Sequence, residues 1–261
     1  YLVEKLAEKH QIWGISRSEV NLKSLRCAVG DRFEYSVADV SDWNSITEAA
    51  KDVTKNWDYL DVLICCAGVV APIGPSMEVD PEKWSDSVRI NLDGTFYSIR
   101  AFFNLLKSST GISKVFCFSG GGAASPRPNF TSYASSKSGV VRLVENLALE
   151  WEAENIDINA IAPGAVPTNM TELVINAGTE LAGLEEYESA VSQMEDGEES
   201  KTKIYNLVSY LISSEANGIS GKLISAKWDK LDEISQRKLD LKNSDIYTLR
   251  RIVPEDRGGD W

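Results

Sequence analysis

Ser132-Tyr133-Ala134-Ser135-Ser136-Lys137 sets a phenol and an ammonium four residues apart. Residues at that spacing share one helix face, so the two groups can meet at one spot. The chemistry such a pair offers is proton transfer, because a cation beside a phenol favours the phenolate and makes the hydroxyl a usable acid. Bringing a phenol from its reference value near 10 to neutrality takes about 4 kcal/mol of differential stabilisation. An ammonium close by in a dry pocket supplies energy of that order. Taken alone, Tyr-x-x-x-Lys is frequent by chance, and two unrelated helix residues are the plainer reading.

The neighbourhood changes that reading. An apolar run ends in Ser119 followed by Gly120-Gly121-Gly122, which places a hydroxyl at a strand's carboxyl edge beside a tight turn. Ligands in open α/β sheets bind at that edge. Two further loops open on it. Cys66-Ala67-Gly68 closes one strand, with Asn91 in the helix that follows, and Ala162-Pro163-Gly164-Ala165-Val166-Pro167-Thr168 closes another.

The elements that must position these residues follow from alternation of short apolar runs with helical patterns, the signature of βαβ units and a parallel sheet. Tyr1 to Lys9 reads as the end of a helix. Strands are expected at Ile12–Ile15, Phe33–Val37, Leu60–Ile64, Val115–Phe118, Ile156–Ile161 and Lys222–Ala226. Ser41 is expected to cap a helix whose face is Trp43, Ile46, Ala50 and Val53. Asp80-Pro81 starts another, since the carboxylate caps and proline tolerates the first turn; it runs through Trp84, Ile90 and Phe96 toward Leu106, with a break. Ser132 to Glu150 is a long helix, and Thr168 to Ser214 is helical, with an acidic run at Glu195, Asp196, Glu198 and Glu199 that reads as solvated surface. No repeat or low-complexity linker divides the chain.

Composition bounds the partners. With 261 residues and 43% hydrophobic content, the chain can bury one large α/β core. A net charge of −12 argues against nucleic acid, which needs a basic stripe, and serves solubility. His10 is the single histidine, and Cys27, Cys65, Cys66 and Cys117 lack zinc spacing, so no metal site and no Ser-His-Asp triad is expected. Cys65, Cys66 and Cys117 end apolar runs and read as small buried hydrophobes, reduced, in a cytoplasmic protein. No apolar run spans a bilayer and no signal peptide opens the chain, so no membrane partner is expected.

With these motifs in order, the sequence resembles the short-chain dehydrogenase/reductase family from residue 1 to about 226. Ser119, Tyr133 and Lys137 match its catalytic spacing, and Asn91 in Arg89-Ile90-Asn91-Leu92 its asparagine. Pro163, Gly164, Val166 and Thr168 match its Pro-Gly-x-Ile/Val-x-Thr segment, and Asp39-Val40 its Asp-Val pair. The resemblance implies a Rossmann-like, doubly wound parallel sheet in three α/β/α layers, with a C-terminal extension over 227–261. It implies hydride transfer between a nicotinamide cofactor and a carbonyl/alcohol pair on a small, sugar- or polyol-like substrate. Tyr133 would be the general acid/base, Ser119 would orient the substrate oxygen, Lys137 would hold the nicotinamide ribose, and Asn91 would anchor a water in a proton relay. Arg17, Asp39, Val40, Cys66, Ala67, Gly68, Tyr133, Lys137, Pro163, Gly164, Val166 and Thr168 would hold the cofactor. Arg17 in Ser16-Arg17-Ser18, with no carboxylate until Glu19, suits the 2′-phosphate of NADP over NAD. A homodimer or homotetramer is expected by resemblance alone.

The sequence also departs from the pattern. The family's first strand and Thr-Gly-x-x-x-Gly-x-Gly turn, whose helix N-terminus receives the pyrophosphate, do not precede Tyr1. The chain reads as beginning inside the following helix, with about 20 to 25 residues of the βα unit missing. A protein without that strand would have two unpaired sheet edges, so an incomplete sequence is favoured over a real loss of the strand and its phosphate anchor. Cys65-Cys66-Ala67-Gly68 stands for Asn-Asn-Ala-Gly, and the interval from Ser119 to Tyr133 is one residue longer than usual, absorbed by Gly120–Gly122. The tail from Trp228 to Trp261 would cover the active site, reach a partner subunit or extend into solvent. Other readings stand beside the oxidoreductase: an epimerase or dehydratase, for whose substrate domain there is no room, a silent NADP-binding sensor or scaffold, and a truncated inactive product.

Overall fold

The computed structural model of the chain describes residues 1–164, 166–194 and 197–260. Ala165 of the loop after Ile156–Ile161, Glu195 and Asp196 of the acidic run, and Trp261 lie outside those residues. Short turns aside, the order is α1 (Leu2–Ala7), β1 (Ile12–Ser16), α2 (Glu19–Val29), β2 (Phe33–Val37), α3 (Trp43–Asn56), β3 (Val62–Cys65), α4 (Pro81–Val88) and α5 (Gly94–Lys107). Then come β4 (Ser113–Phe118), α6 (Thr131–Glu150), β5 (Ile156–Ala162), α7 (Asn169–Ala182), α8 (Leu184–Gln193), α9 (Gly197–Ile212), β6 (Leu223–Ser225), α10 (Leu231–Gln236) and α11 (Lys238–Lys242). The strand pairs β1–β2, β3–β4, β4–β5 and β5–β6 are all parallel. This is the Rossmann-like α/β architecture expected.

Period-two alternation in β4 sends its side chains to two cores. Val115 and Cys117 pack with Val140, Val141 and Val144 of α6 and Ile99 and Leu106 of α5. Phe116 turns the other way, onto Leu207, Val208 and Leu211 of α9. Helices therefore cover both faces in three layers. Each fully buried Val or Phe here contributes about 1.5–3 kcal/mol of transfer free energy, which is what fixes the register of α6 on the sheet.

The sheet is interrupted between β1 and β3. Among the described residues β1 pairs only with β2, and β3 only with β4. A cleft of about 790 Å³ lies between them, walled by Ile12, Trp13 and Ile15 of β1 and by Val62, Leu63 and Ile64 of β3.

Several expected boundaries are corrected. Asp42, not Ser41, caps α3, its Oδ1 accepting from the backbone N–H of Asn44 and Ser45. Ser41 is drawn instead to Asp39, its hydroxyl donating to Oδ1 at 2.6 Å. Strand β3 begins two residues after Leu60, whose N–H is taken by the carbonyl of Leu105. The helix begun by Asp80 has no break: a π turn over Arg89–Asp93 joins α4 to α5, with helical dihedrals at both junctions.

Among the described residues the tail after β6 is not a solvated extension, and none of it joins the cluster around Tyr133. Ile234 and Leu241 enter the core beside Phe116 and Leu207. Leu223 N–H donates to Tyr247 O at 2.8 Å along the outer edge of β6. Leu249 is clasped to α6, its N–H donating to Glu145 Oε1 at 2.6 Å and its carbonyl accepting from Arg142. An otherwise open strand edge is covered in this way.

Candidate active site

Ser119 follows β4, and its N–H donates to Ile161 O at 2.8 Å, extending the ladder by one bond. The chain then turns through Gly120–Gly122 and enters α6, which carries Tyr133 and Lys137 back under the strand end. Contacts fix both groups around Ser119. Lys137 Nζ donates to the carbonyl of Phe118, the residue before, at 2.8 Å. The Tyr133 hydroxyl lies against Gly120, the residue after: a Cβ built there would clash with it. Only glycine leaves room for the phenol. At Gly122, with φ of 92°, a Cβ would also meet Ala134 at 2.8 Å, so the turn lies flush on α6.

The three groups are buried, at 3% exposure for Ser119, 8% for Tyr133 and 3% for Lys137. Among the described residues Ser119 Oγ finds no hydrogen-bond partner. An unmade bond on a buried hydroxyl costs about 1–3 kcal/mol, so the group is suited to receive a ligand oxygen. Lys137 uses one of three ammonium donors on Phe118. Burial lowers it to about 8, against the nearby Cys117, Cys66 and Cys65.

The expected acidification of Tyr133 by Lys137 is not what this geometry gives. The ammonium is turned to Phe118 O, 5.7 Å from the phenol ring centroid. Burial raises Tyr133 above the usual phenol value, and the cation that opposes the rise is Arg127. Arg127 lies 5.5 Å from the Tyr133 ring centroid. Sequence reading missed it, because no local spacing pairs Arg127 with a group on α6.

Asn91 is completely buried in the π turn. Its amide clamps the loop after β3: Oδ1 accepts from Val69 N–H at 2.8 Å and Nδ2 donates to Val69 O at 2.9 Å. Nδ2 also reaches Ser136 Oγ of α6 at 3.1 Å. A π turn inside a helix often marks such a site. Gly68 packs on the same spot, where a Cβ would stand 2.9 Å from Asn91 Oδ1 and 3.4 Å from Lys137 Nζ. Asn91, Gly68, Lys137, Ser119 and Tyr133 are therefore brought together.

The other candidate residues lie around this centre. Val40, Cys66 and Ala67 line the cleft between the sheets. Val40 also fills the space over Gly94, 2.8 Å from a Cβ there. Cys66 is exposed, against the buried thiol expected, while Cys65 and Cys117 are buried; all are free. The protein mass around Cys66 still pushes its thiol up to about 12. Arg17 stands at the carboxyl end of β1, 63% exposed, and reaches Asp39 Oδ2 at 3.5 Å. Burial disfavours the Asp39 carboxylate, but the Ser41 hydrogen bonds and Arg17 prevail and lower it. Beyond β5, Gly164 takes φ of 76° against Lys227, and Val166 O accepts from Thr171 Oγ1 at 2.8 Å. Thr168 heads α7, whose Met170 and Val174 pack with Tyr133, Phe130, Val70 and Ile73. Among the described residues no cluster of ligands for a metal ion occurs, and no helix is long and apolar enough to cross a membrane.

A dinucleotide fits these residues. A buried ammonium with two spare donors and, among the described residues, an unpartnered buried hydroxyl are features such a group can use.

Comparison with known proteins places this geometry. The family model for short chain dehydrogenases matches residues 2–179. The short chain dehydrogenase mpl6 of Monascus purpureus is 29% identical over 215 residues, 82% of this chain and 68% of its own. Galactitol 2-dehydrogenase (L-tagatose-forming) of Cereibacter sphaeroides is 35% identical over 136 residues, 52% of this chain and 53% of its own. The fold matches that of an actinorhodin polyketide ketoreductase solved with NADPH, at a TM-score of 0.74 and 22% identity, over 86% of this chain and 89% of that one. The chain belongs to the short-chain dehydrogenase family of oxidoreductases.

Proposed function

We propose that the chain interconverts a carbonyl and a secondary alcohol on a small substrate, with NADP(H) as partner and Tyr133 as general acid/base. The observation that carries this reading is the unpartnered hydroxyl of Ser119, flanked by the Tyr133 hydroxyl at Gly120 and the Lys137 ammonium at Phe118. The cofactor supplies the hydride. Ser119 donates a hydrogen bond to the substrate oxygen and orients it. As negative charge develops there, Tyr133 gives up its proton, a role worth about 10²–10⁴ in rate. Lys137 turns its spare donors to the nicotinamide ribose, and Asn91 holds the loop at Val69 and anchors the water of a proton relay.

Arg17 supports NADP over NAD, since its exposed guanidinium can leave Asp39 for a 2′-phosphate. Asp39, Val40, Cys66, Ala67, Gly68, Pro163, Gly164, Val166 and Thr168 complete the cofactor contacts in this reading. The oxidoreductase domain runs over 1–226, with 227–261 as its extension, in a cytoplasmic homodimer or homotetramer. A polyol substrate draws support from the likeness to galactitol 2-dehydrogenase. The apolar set Val70, Ile73, Met170 and Val174 beside Tyr133 supports a ketone with a hydrocarbon body. Assaying galactitol oxidation beside cyclohexanone reduction separates the two.

Tyr133→Phe is the test. Turnover should fall by about 10²–10⁴ while NADPH binding, followed by its fluorescence, stays within twofold of the parent; turnover retained in the variant overturns the assignment. A catalytically silent NADP-binding sensor or scaffold is the second reading, favoured by the burial that raises the Tyr133 phenol above its usual value. Tight NADPH binding with no turnover of any carbonyl would select it.

A further inference from the structure

The proton transfer described above leaves unused an ion pair that touches the catalytic helix. Arg127, in the turn before α6, donates from Nε and Nη2 to the two carboxylate oxygens of Glu186 at 2.8 and 2.7 Å. Its guanidinium lies 4.1 Å from the Phe130 ring centroid as well as over the Tyr133 ring. The pair is partly sheltered, at 18% and 31% exposure. A two-point contact between planar groups, stacked on aromatic faces, is the strong and directional form of a charge pair.

Glu186 belongs to the first turn of α8. Two glycines interrupt the chain ahead of it, Gly178 at φ of 67° within α7 and Gly183 at φ of 90° between the helices. Breaks of this kind let a helical segment pivot. The apolar grip of α8 is small: Ala190 joins the cluster around Tyr133, while Leu184 and Val191 stay exposed. Among the described residues the Arg127–Glu186 contact is accordingly the main polar tie between α8 and the catalytic turn.

We propose that Arg127 is a positioning residue, whose clamp on Glu186 holds α8 against the catalytic turn and whose guanidinium is thereby fixed as a cation on the face of Tyr133. The charged groups that face the phenol are Arg127 from the preceding turn, Glu186 of α8 behind it, and Lys137 on the same helix. From α7 and the loop after β3 come apolar groups, Met170, Val174 and Val70. Arg127 is also the group that opposes the burial of the phenol. The clamp stands on geometry alone, and the assistance to the phenol rests on the reading of Tyr133 as proton donor.

The experiment uses the whole chain and three variants, Arg127→Met, Arg127→Lys and Glu186→Gln. Amide hydrogen exchange over residues 184–193 reads the clamp. Exchange should rise about tenfold in Arg127→Met and Glu186→Gln, with helices α5 and α6 unchanged; exchange within twofold of the parent in Glu186→Gln overturns the clamp. NMR of ¹³Cζ-labelled tyrosine, with Tyr133→Phe to identify the signal, reads the phenol without substrate or cofactor. Its midpoint should rise by about 1 pH unit in Arg127→Met and stay near the parent in Arg127→Lys, which keeps the cation. A midpoint unmoved by Arg127→Met, or a phenol that titrates in neither protein, overturns the second half. Should Arg127→Met fail to fold, Glu186→Gln decides the clamp, and an Arg127→Gln phenol midpoint replaces the other. If Tyr133→Phe keeps its turnover, the catalytic reading falls, and these measurements still decide the clamp.

Discussion

Strand β5 and strand β1 are both parallel, apolar and followed by helices, yet they sit in different surroundings. β5 is paired on both edges, and Ile156, Ile158, Ala160 and Ile161 are buried. Among the described residues β1 pairs with β2 alone, and no residue along its length is buried. The groups proposed for proton transfer stand on the continuous side, at the ends of β3 and β4 and on α6. The groups proposed to grip the far end of the cofactor, Arg17 and Asp39, stand on the two-stranded side across the cleft. The contrast is one of burial: Ser119, Tyr133 and Lys137 are held in rigid, buried support, whereas the Arg17 guanidinium is exposed.

Substitutions can break or sharpen that contrast. The largest difference is expected in packing. Ile158→Ala should lower unfolding free energy by about 2–5 kcal/mol, whereas Ile12→Ala on β1 should cost about 1 kcal/mol, because a half-open site loses less burial and leaves no closed cavity. Urea denaturation checks both, and equal losses would mean that the two sheets share one core.

Lys137→Met should next raise stability by about 3 kcal/mol at pH 7, as expected when a buried ammonium lowered to about 8 is replaced by an apolar chain. The sign follows from protons bound. Between pH 8 and 10.5 the unfolded chain keeps this proton and the folded chain has lost it, so the parent gains stability as pH rises through that window. Denaturation at pH 7 and pH 10 should show that gain in the parent and its absence in Lys137→Met.

Gly120→Ala should cut turnover about 10²-fold by displacing the Tyr133 hydroxyl, and lower the melting temperature, since overpacking a buried site costs about 1–3 kcal/mol. Steady-state rates and a thermal melt together check it. The smallest effect belongs to the open side: Arg17→Ala should reduce the NADPH to NADH preference in kcat/KM about tenfold, the worth of one charge-assisted contact. An unchanged ratio would leave Arg17 as a partner of Asp39 only.

Much of this was legible because local chemistry dictated it. Asp80-Pro81 starts α4 since the carboxylate takes the free N–H groups and proline needs none. The positions of β2, β4, β5 and α6 follow from apolar period and length. Where two caps compete, sequence cannot choose: Asp42 wins over Ser41 because Ser41 is drawn to Asp39. Helix α2 was overlooked because it buries only Leu22 and so shows a weak apolar stripe. The set Asn91, Ser119, Tyr133 and Lys137 could be read from motifs, but the hydrogen bond that turns Lys137 to Phe118 is tertiary. Arg127 and Glu186 lie 59 residues apart and meet only once α8 folds back over the turn.

The π turn at Arg89–Asp93 carries one consequence for the long rod from Pro81 to Lys107. Each helical residue advances the wheel by about 100°, so a single extra residue resets the rotational phase of one half against the other. Trp84 can thereby point its indole at Thr131 while Ile99 and Phe102 still face inward. Deleting Ile90 would let the backbone close into an ordinary α-helix and would dephase the two ends, swinging the Asn91 amide off Val69. The least regular turn of the rod is what lets one straight segment serve two differently oriented neighbours.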